Sequence, residues 1–387
     1  MKKVVLAYSG GLDTSVCVRW LTDKGYTVIA VIADIGQKVD FAKLRERAIS
    51  AGAKEIYVAD LKKRFVEEFI LPTLKAEGVY QGYYLATALS RPLIAQKVVE
   101  IAYREKAEYL AHGCTGKGND QVRFELSWKL LSPQLKVIAP VREWEFKSRD
   151  EEMEYAREKG LDLNLERLTY SIDENLWGVS IECGELEDAG KKPPADAWQI
   201  THLESRRDPV RLKIEFDQGI PVALDEKRME AGEIIVRLNE IGKEYAIGRK
   251  DLIEDRVVGI KSRELYEAPS AEILYIAHHS LETLVFDKDT LDFKHLVSLK
   301  YGELVYKGLW FSPLRGFLDR FVEATQKKVS GEVEIELHPQ VCQVIGRKSR
   351  YSLYDRDLAT YGQGSKFESR WAEGFIKILS MGLRKID

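Results

Sequence analysis

Five short segments in the first 145 residues are apolar almost without interruption: "VVLAY" (Val4–Tyr8), "TVIAVIAD" (Thr27–Asp34), "EIYVADL" (Glu55–Leu61), "EYLAHGC" (Glu108–Cys114) and "KVIAPV" (Lys136–Val141). Between them lie segments of helical periodicity, Asp13–Lys24, Asp40–Ala51, Lys62–Glu77 and Thr87–Lys106. A strand with no polar face must be covered on both sides, which is the condition of a parallel sheet with helices above and below. Right-handed crossovers then give a doubly wound α/β domain. Such sheets bind ligands at the carboxyl ends of their strands. Two glycine-bearing loops follow strands and fall on that edge: "SGGLDTS" (Ser9–Ser15) and "HGCTGKGNDQ" (His112–Gln121).

The first loop suits an anion. A turn from strand to helix gathers backbone N–H groups at a helix N-terminus. Gly10 and Gly11 let the backbone approach a ligand closely, and Ser9, Thr14 and Ser15 add hydroxyl donors. The plainer alternative is a tight turn in which Asp13 or Thr14 caps the helix. Spacing removes two common phosphate loops. Around Gly116-Lys117, Ala111 stands where a Walker A loop needs its first glycine, and Gly118 where it needs a hydroxyl. No Gly-x-Gly-x-x-Gly follows the first strand. "SGGLDTS" instead resembles the pyrophosphate loop of the N-type ATP pyrophosphatases, which split ATP between the α- and β-phosphates. A carboxylate beside a triphosphate repels it unless a cation intervenes, so Asp13 reads as a partner of Mg²⁺. The alternative for Asp13 is an acid favoured by the helix macrodipole.

After about residue 165 the pattern changes to a mixed α+β domain. "RLKIEFDQGIPVAL" (Arg211–Leu224) alternates about an Asp-Gln-Gly turn, a hairpin signal. Met229–Glu244 reads as a helix and Gly331–Arg347 as a strand pair. The tail Ser369–Ile386 is an amphipathic helix whose Phe375, Ile376, Ile378, Leu379 and Leu383 need a partner, either their own domain or a neighbouring subunit. The expected division is 1–165, 166–365 and 366–387. Among 387 residues the formal charge is −3, which supplies no field for nucleic acid or an anionic membrane. The scattered Cys17, Cys114, Cys183 and Cys342 fit reduced thiols rather than a disulfide framework or zinc ribbon. No apolar run reaches the roughly 18 residues of a membrane span, so a cytoplasmic protein is expected. The doublet His278-His279 suggests a metal, but on a strand the two side chains would point to opposite faces.

The second loop narrows the reading. "HGCTGKGNDQVRFE" (His112–Glu125) brings Thr115, Asn119, Asp120 and Arg123 to one turn and helix start, groups that bind small zwitterions. With "YSGGLDTS", "ADIGQ" (Ala33–Gln37), "TALSRPLIA" (Thr87–Ala95), "YSIDENLWGVS" (Tyr170–Ser180), "IEDRVVGIKSRELYE" (Ile253–Glu267) and "SLYDRDL" (Ser352–Leu358), it resembles the argininosuccinate synthases, in order over nearly the whole chain.

The resemblance implies a doubly wound nucleotide-binding domain, a synthetase domain and a C-terminal helix. It implies ATP-driven joining of citrulline and aspartate through citrullyl-AMP, with Mg²⁺ accompanying ATP, in a homotetramer. ATP would lie against Ala7, Tyr8, Ser9, Gly10, Gly11, Leu12, Asp13, Thr14, Ser15, Ala33 and Gly113. Citrulline would meet Tyr83, Asn119, Arg123, Ser171, Ser180, Glu254 and Tyr266; aspartate would meet Thr115, Asn119 and Asp120. The catalytic group would be Asp13, Asn119, Asp120 and Arg123. The chemistry agrees: Arg123 can grip a carboxylate with two N–H groups, Asp120 and Glu254 suit ammonium groups, and Asn119 both donates and accepts. Two departures stand out. Ala88 replaces a serine that many members carry, removing one hydroxyl from the citrulline site, and the segment after Phe146 is short. Tyr83 and Tyr266 could instead be core aromatics, Ser171 and Ser180 turn residues, and Arg123 half of a structural ion pair. Two other readings remain open on the residues alone: another adenylating enzyme with this loop, or a nucleotide sensor without turnover.

Overall fold

The structure, a computed structural model, describes residues 2–161, 169–203 and 207–383. Its first unit contains β1 (Lys3–Ala7), α1 (Leu12–Asp23), β2 (Thr27–Asp34), α2 (Phe41–Ala51) and β3 (Glu55–Asp60). A broken helical run follows, α3, made of Lys62–Arg64, a π-type stretch Phe65–Ile70 and Leu71–Ala76. Then come α4 (Ala86–Glu105), β4 (Tyr109–His112), α5 (Asp120–Leu131), β5 (Lys136–Ile138) and α6 (Arg149–Glu158). The strands form one parallel sheet in the order β3-β2-β1-β4-β5. Val4 and Leu6 of β1 pack with α1, α2 and α6, whereas Val5 and Ala7 pack with α4 and α5. Both faces are therefore covered, as the uninterrupted apolar runs require. The chain leaves β1 towards β2 and returns on its other side as β4, so the switch point lies between β1 and β4.

The second unit has two antiparallel sheets. One takes the order β10-β9-β8-β13-β14, from β8 (Val210–Asp217), β9 (Ile220–Leu224), β10 (Lys227–Arg228), β13 (Gly331–His338) and β14 (Val341–Lys348). Its first hairpin turns at Gln218 and Gly219, both with positive φ (50° and 77°), the backbone that the Asp-Gln-Gly signal requires. The other sheet, β11-β12-β7-β6, is built from β6 (Ser171–Asn175), β7 (Gly178–Glu182), β11 (Arg249–Asp255) and β12 (Lys261–Glu267). The sequence reading left these four strands unassigned. Helices α7 (Ala231–Lys243), α8 (Pro269–Val285), α9 (Lys288–Tyr306) and α10 (Pro313–Gln326) complete the unit. A shared apolar core ties α3 and α4 to α8, α9 and α10. The expected boundary at 165 lies outside the described residues.

One expectation is corrected, and one open alternative is narrowed. The His278-His279 doublet sits on α8 rather than on a strand; Pro269 occupies the helix's first turn, where its missing N–H costs nothing. The tail helix α11 (Arg370–Ser380) does not pack on its own domain: Phe375, Ile376, Ile378, Leu379 and Leu383 are 60–74% exposed. The predicted end of that helix, 384–386, lies outside the described residues. Among the described residues no helix is long and apolar enough to cross a membrane.

Candidate active site

A cavity of about 550 Å³ opens over the carboxyl ends of β1 and β4, between that edge and the β11-β12-β7-β6 sheet. Its floor is the opening loop. Gly11 is the N-cap of α1, and no side chain caps it, so neither Asp13 nor Thr14 fills the capping role. The first N–H groups of α1 are left to an anion. Gly10 takes φ 83°, a left-handed backbone that favours glycine, and a Cβ there would lie 2.2 Å from Leu44 Cδ2 and force that side chain to move. Ser9 Oγ and Thr14 Oγ1 meet at 3.1 Å and face the cleft. Leu12 and Ser15 are buried, and the Ser15 hydroxyl is spent on Tyr8 Oη at 2.9 Å. Those two residues support the loop rather than line the cavity.

Asp13 faces Glu152 from α6. Burial pushes the Asp13 carboxyl up; burial and then the Asp13 charge push Glu152 up to about 8. Glu152 Oε2 is buried without a hydrogen-bond donor. Two facing carboxyls with an orphaned oxygen form a donor set that fits a hard divalent cation.

The second loop approaches from β4. A Cβ on Gly113 would come within 2.9 Å of Thr14 Cγ2, so this glycine lets the two loops touch. Gln121 Nε2 donates to the carbonyls of Gly116 (2.5 Å) and Gly118 (3.3 Å), setting the loop's curl. His112 accepts from Cys114 N at Nδ1 (3.2 Å), so its Nε2 carries the proton that reaches Glu125 Oε1 at 3.0 Å. It is a loop anchor.

Beyond the loop, Asp120 lies between two guanidiniums: Arg123 Nη1 donates to Oδ1 at 2.9 Å and Arg91 Nε to Oδ2 at 2.9 Å. Burial would raise this carboxyl, but Arg91 and Arg123 outweigh it and hold it below the ordinary aspartate value. Asp120 is thus a poor proton acceptor near neutral pH, its charge balanced by the two guanidiniums. Arg123 is 3% exposed; its Nε donates to the Tyr306 carbonyl at 3.0 Å, which leaves Nη2 for a ligand. Asn119 is also largely committed. Its Oδ1 accepts from Val257 N at 2.8 Å, and its Nδ2 donates to Tyr306 Oη at 2.9 Å. One N–H and one lone pair remain.

The opposite wall is the antiparallel sheet. Ser180 and Tyr266 are direct cross-strand partners, so their side chains share a face. Tyr83 stacks on Tyr266 with ring centroids 4.1 Å apart, and its oxygen accepts from Thr87 N at 2.6 Å, leaving its O–H to point elsewhere. Ala88 is fully buried, whereas Thr87 lines the cavity and its hydroxyl meets Ser180 Oγ at 2.9 Å. A hydroxyl therefore stands beside the position where Ala88 lacks one. Glu254 is 2% exposed; Tyr266 Oη donates to one of its oxygens at 2.7 Å and Tyr306 Oη to the other at 2.5 Å. Among the described residues no lysine or arginine forms an ion pair with it. Ser171, Thr115 and Ala33 also line the cavity.

Several lining residues were missing from the sequence reading: Arg91, Asp173, Glu182, Arg256 and Glu264. Arg256 pairs with Glu182 and with Glu264, the latter at 2.9 Å. Burial and then the charges of Glu182 and Glu254 push Glu264 up to about 8. The histidine doublet lies elsewhere. His278 and His279 each reach the Glu77 carboxylate at 3.1 Å through Nδ1, and ligand atoms of Glu77, His279 and Glu282 lie within 4.8 Å of one another. The Lys294 ammonium, 2.9 Å from Glu282 and 3.6 Å from Glu77, already supplies the cation there.

A doubly wound sheet with an uncapped helix at its switch point, roofed by a wall of carboxylates, guanidiniums and phenols, defines a nucleotide-binding α/β enzyme with room for a small zwitterion. The chain belongs to the argininosuccinate synthase family. The model of the arginosuccinate synthase N-terminal HUP domain matches residues 3–162, and that of the C-terminal domain matches residues 170–386. The argininosuccinate synthase of Chlorobaculum tepidum is 51% identical over 389 residues, covering 99% of this chain and 97% of its own. That of Pelotomaculum thermopropionicum is 50% identical, with the same coverage. A solved 4-thiouridine synthetase–RNA complex with bound ATP aligns with 41% of each chain at 20% identity, with a TM-score of 0.32.

Proposed function

We propose that this cleft joins citrulline to aspartate with ATP, the ligation of the family to which the chain belongs. The observation that carries the reading is Glu254. It is a buried carboxylate, fixed by two phenol donors and, among the described residues, in no ion pair with a lysine or arginine, in the same cavity as the open N-terminus of α1. Such a group calls for an ammonium ion.

ATP binds along Ala7–Ser15 with Ala33 and Gly113, its phosphates on the N–H groups of α1. The citrulline ammonium meets Glu254 and its carboxylate meets Arg123 Nη2; Tyr83, Ser171, Ser180 and Tyr266 line its remaining length. The ureido oxygen attacks the α-phosphorus, the α–β bridging bond breaks, and pyrophosphate leaves onto the α1 N-terminus. The aspartate amine, positioned by Thr115, Asn119 and Asp120, then attacks the activated ureido carbon. The carbon–oxygen bond to AMP breaks and AMP departs. No protein nucleophile is needed; positioning and charge stabilisation supply the rate. Pyrophosphate release that requires citrulline as well as ATP is the expected result, with ¹⁸O from the ureido group appearing in AMP. Release in the absence of citrulline, or unlabelled AMP, would overturn this reading.

Asp13 and Glu152 would hold Mg²⁺, which neutralises phosphate charge when bound. In Asp13→Asn, turnover should fall by about two orders of magnitude. The melting temperature should stay within about 2 °C or rise, because one of two facing buried carboxyls is gone. A fall in stability matching the fall in activity would return Asp13 to a purely structural role.

The chain divides at about residue 165, between the two matched family domains, and 366–387 forms an arm for a second copy. Its exposed apolar strip supports a homotetramer. Removing residues 369–387 should lower the mass seen by light scattering. An unchanged mass would exclude the arm from the assembly.

A further inference from the structure

We propose that Tyr306 is a positioning residue for both amino-acid substrates, fixing Glu254 and Asn119 through one hydroxyl. It is the last residue of α9, fully buried behind the cavity wall. Its ring stacks on Tyr80 with centroids 3.7 Å apart, and the Arg123 guanidinium lies 4.9 Å from its centroid.

Proton counting sets the direction of the chain. Val257 N–H donates to one end of the Asn119 amide, so that end is oxygen and the end facing Tyr306 is NH₂. The phenol oxygen accepts there, and its single proton must go to Glu254 Oε1. The relay runs from Asn119 through Tyr306 to Glu254. Burial and then the Glu254 charge hold the Tyr306 hydroxyl far above the ordinary phenol range, so it stays a donor. Tyr266 occupies the other carboxylate oxygen, so each oxygen keeps one free lone pair, held in a fixed plane for the ammonium. Without the Tyr306 hydroxyl, Glu254 can rotate and the Asn119 NH₂ loses its acceptor.

This inference rests on the reading of Glu254 as the citrulline ammonium partner, and the test separates the two. Tyr306→Phe, Glu254→Gln and the double variant are compared by KM for citrulline, aspartate and ATP. Tyr306→Phe should raise the citrulline KM about tenfold (about 1.4 kcal/mol). The aspartate KM should rise by less, and the ATP KM should stay within about twofold. In the Glu254→Gln background the same change should add less than about twofold, because the hydroxyl acts through the carboxylate. Full additivity, no change, or an equal rise for ATP would overturn the positioning role. An unchanged citrulline KM in Glu254→Gln alone would instead overturn the site reading. Tyr80→Leu serves as the packing control: it removes the ring stack and the hydroxyl's bond to the Asp255 carbonyl but not the relay, and should lower the melting temperature more and the citrulline affinity less. The reverse ranking counts against the relay.

Discussion

Replacing Glu254 by glutamine should lower kcat/KM for citrulline by about three orders of magnitude, about 4 kcal/mol of transition-state binding. The carboxylate accepts two phenol protons and offers its remaining lone pairs to an ammonium ion in a buried site. Charge-assisted bonds of this kind are roughly twice as strong as neutral ones, and burial leaves the ammonium no water to fall back on. The amide keeps one acceptor but turns an NH₂ towards a phenol that also needs to donate. Stability should change little. The ligand-free protein loses an unpaired buried charge, a gain that offsets the mismatched phenol. The check is steady-state pyrophosphate release beside a thermal melt. A citrulline KM equal to wild type would remove Glu254 from the binding site.

Gly302→Ala should have the largest effect on the fold. Glycine inside a helix normally costs about 1 kcal/mol relative to alanine, so propensity alone predicts stabilisation. Gly302, however, lies in α9 where it presses on the backbone of residue 79: an added Cβ would sit 2.2 Å from Val79 O, 2.7 Å from its carbonyl carbon and 2.8 Å from its nitrogen. Backbone atoms cannot swing aside, so helix and segment must part. The expected loss is about 3 kcal/mol or more, a fall of roughly 4–7 °C or more in melting temperature. Because the displaced segment carries Tyr80 and Tyr83, the citrulline KM should rise in any variant that still folds. A raised melting temperature would show that packing against Val79 is looser than the geometry implies.

The parallel sheet was legible because strands covered on both faces have nowhere to place polar residues. The antiparallel roof of the cavity was not, for the opposite reason. "SIDEN", "GVSIE", "RKDLIED" and "KSRELYE" form a sheet whose face lines a polar cavity, so their charges mask the strand pattern. The overlooked lining residues follow a simple rule. Asp173, Glu182 and Arg256 stand two positions after Ser171, Ser180 and Glu254, and Glu264 stands two before Tyr266. In a strand, residues two apart share a face. Arg91 stands four after Thr87, on the same helix face. Tyr306 carries no such signal: it reaches the site from the end of α9, where its ring stacks on Tyr80 and its carbonyl accepts from Arg123. The histidine doublet misled because a run of apolar residues cannot by itself distinguish buried helix from strand.

The strand order also has a consequence for how the molecule is made. β1 leaves the ribosome before either of its partners, yet Val4 pairs with Tyr109 as well as with Val28. The central strand therefore waits for a neighbour more than a hundred residues downstream before the nucleotide floor can close. The antiparallel roof of the cavity waits longer, for β12, and Tyr306 emerges later still. During synthesis the opening loop thus takes shape well before the sheet that roofs it, and the cavity closes last.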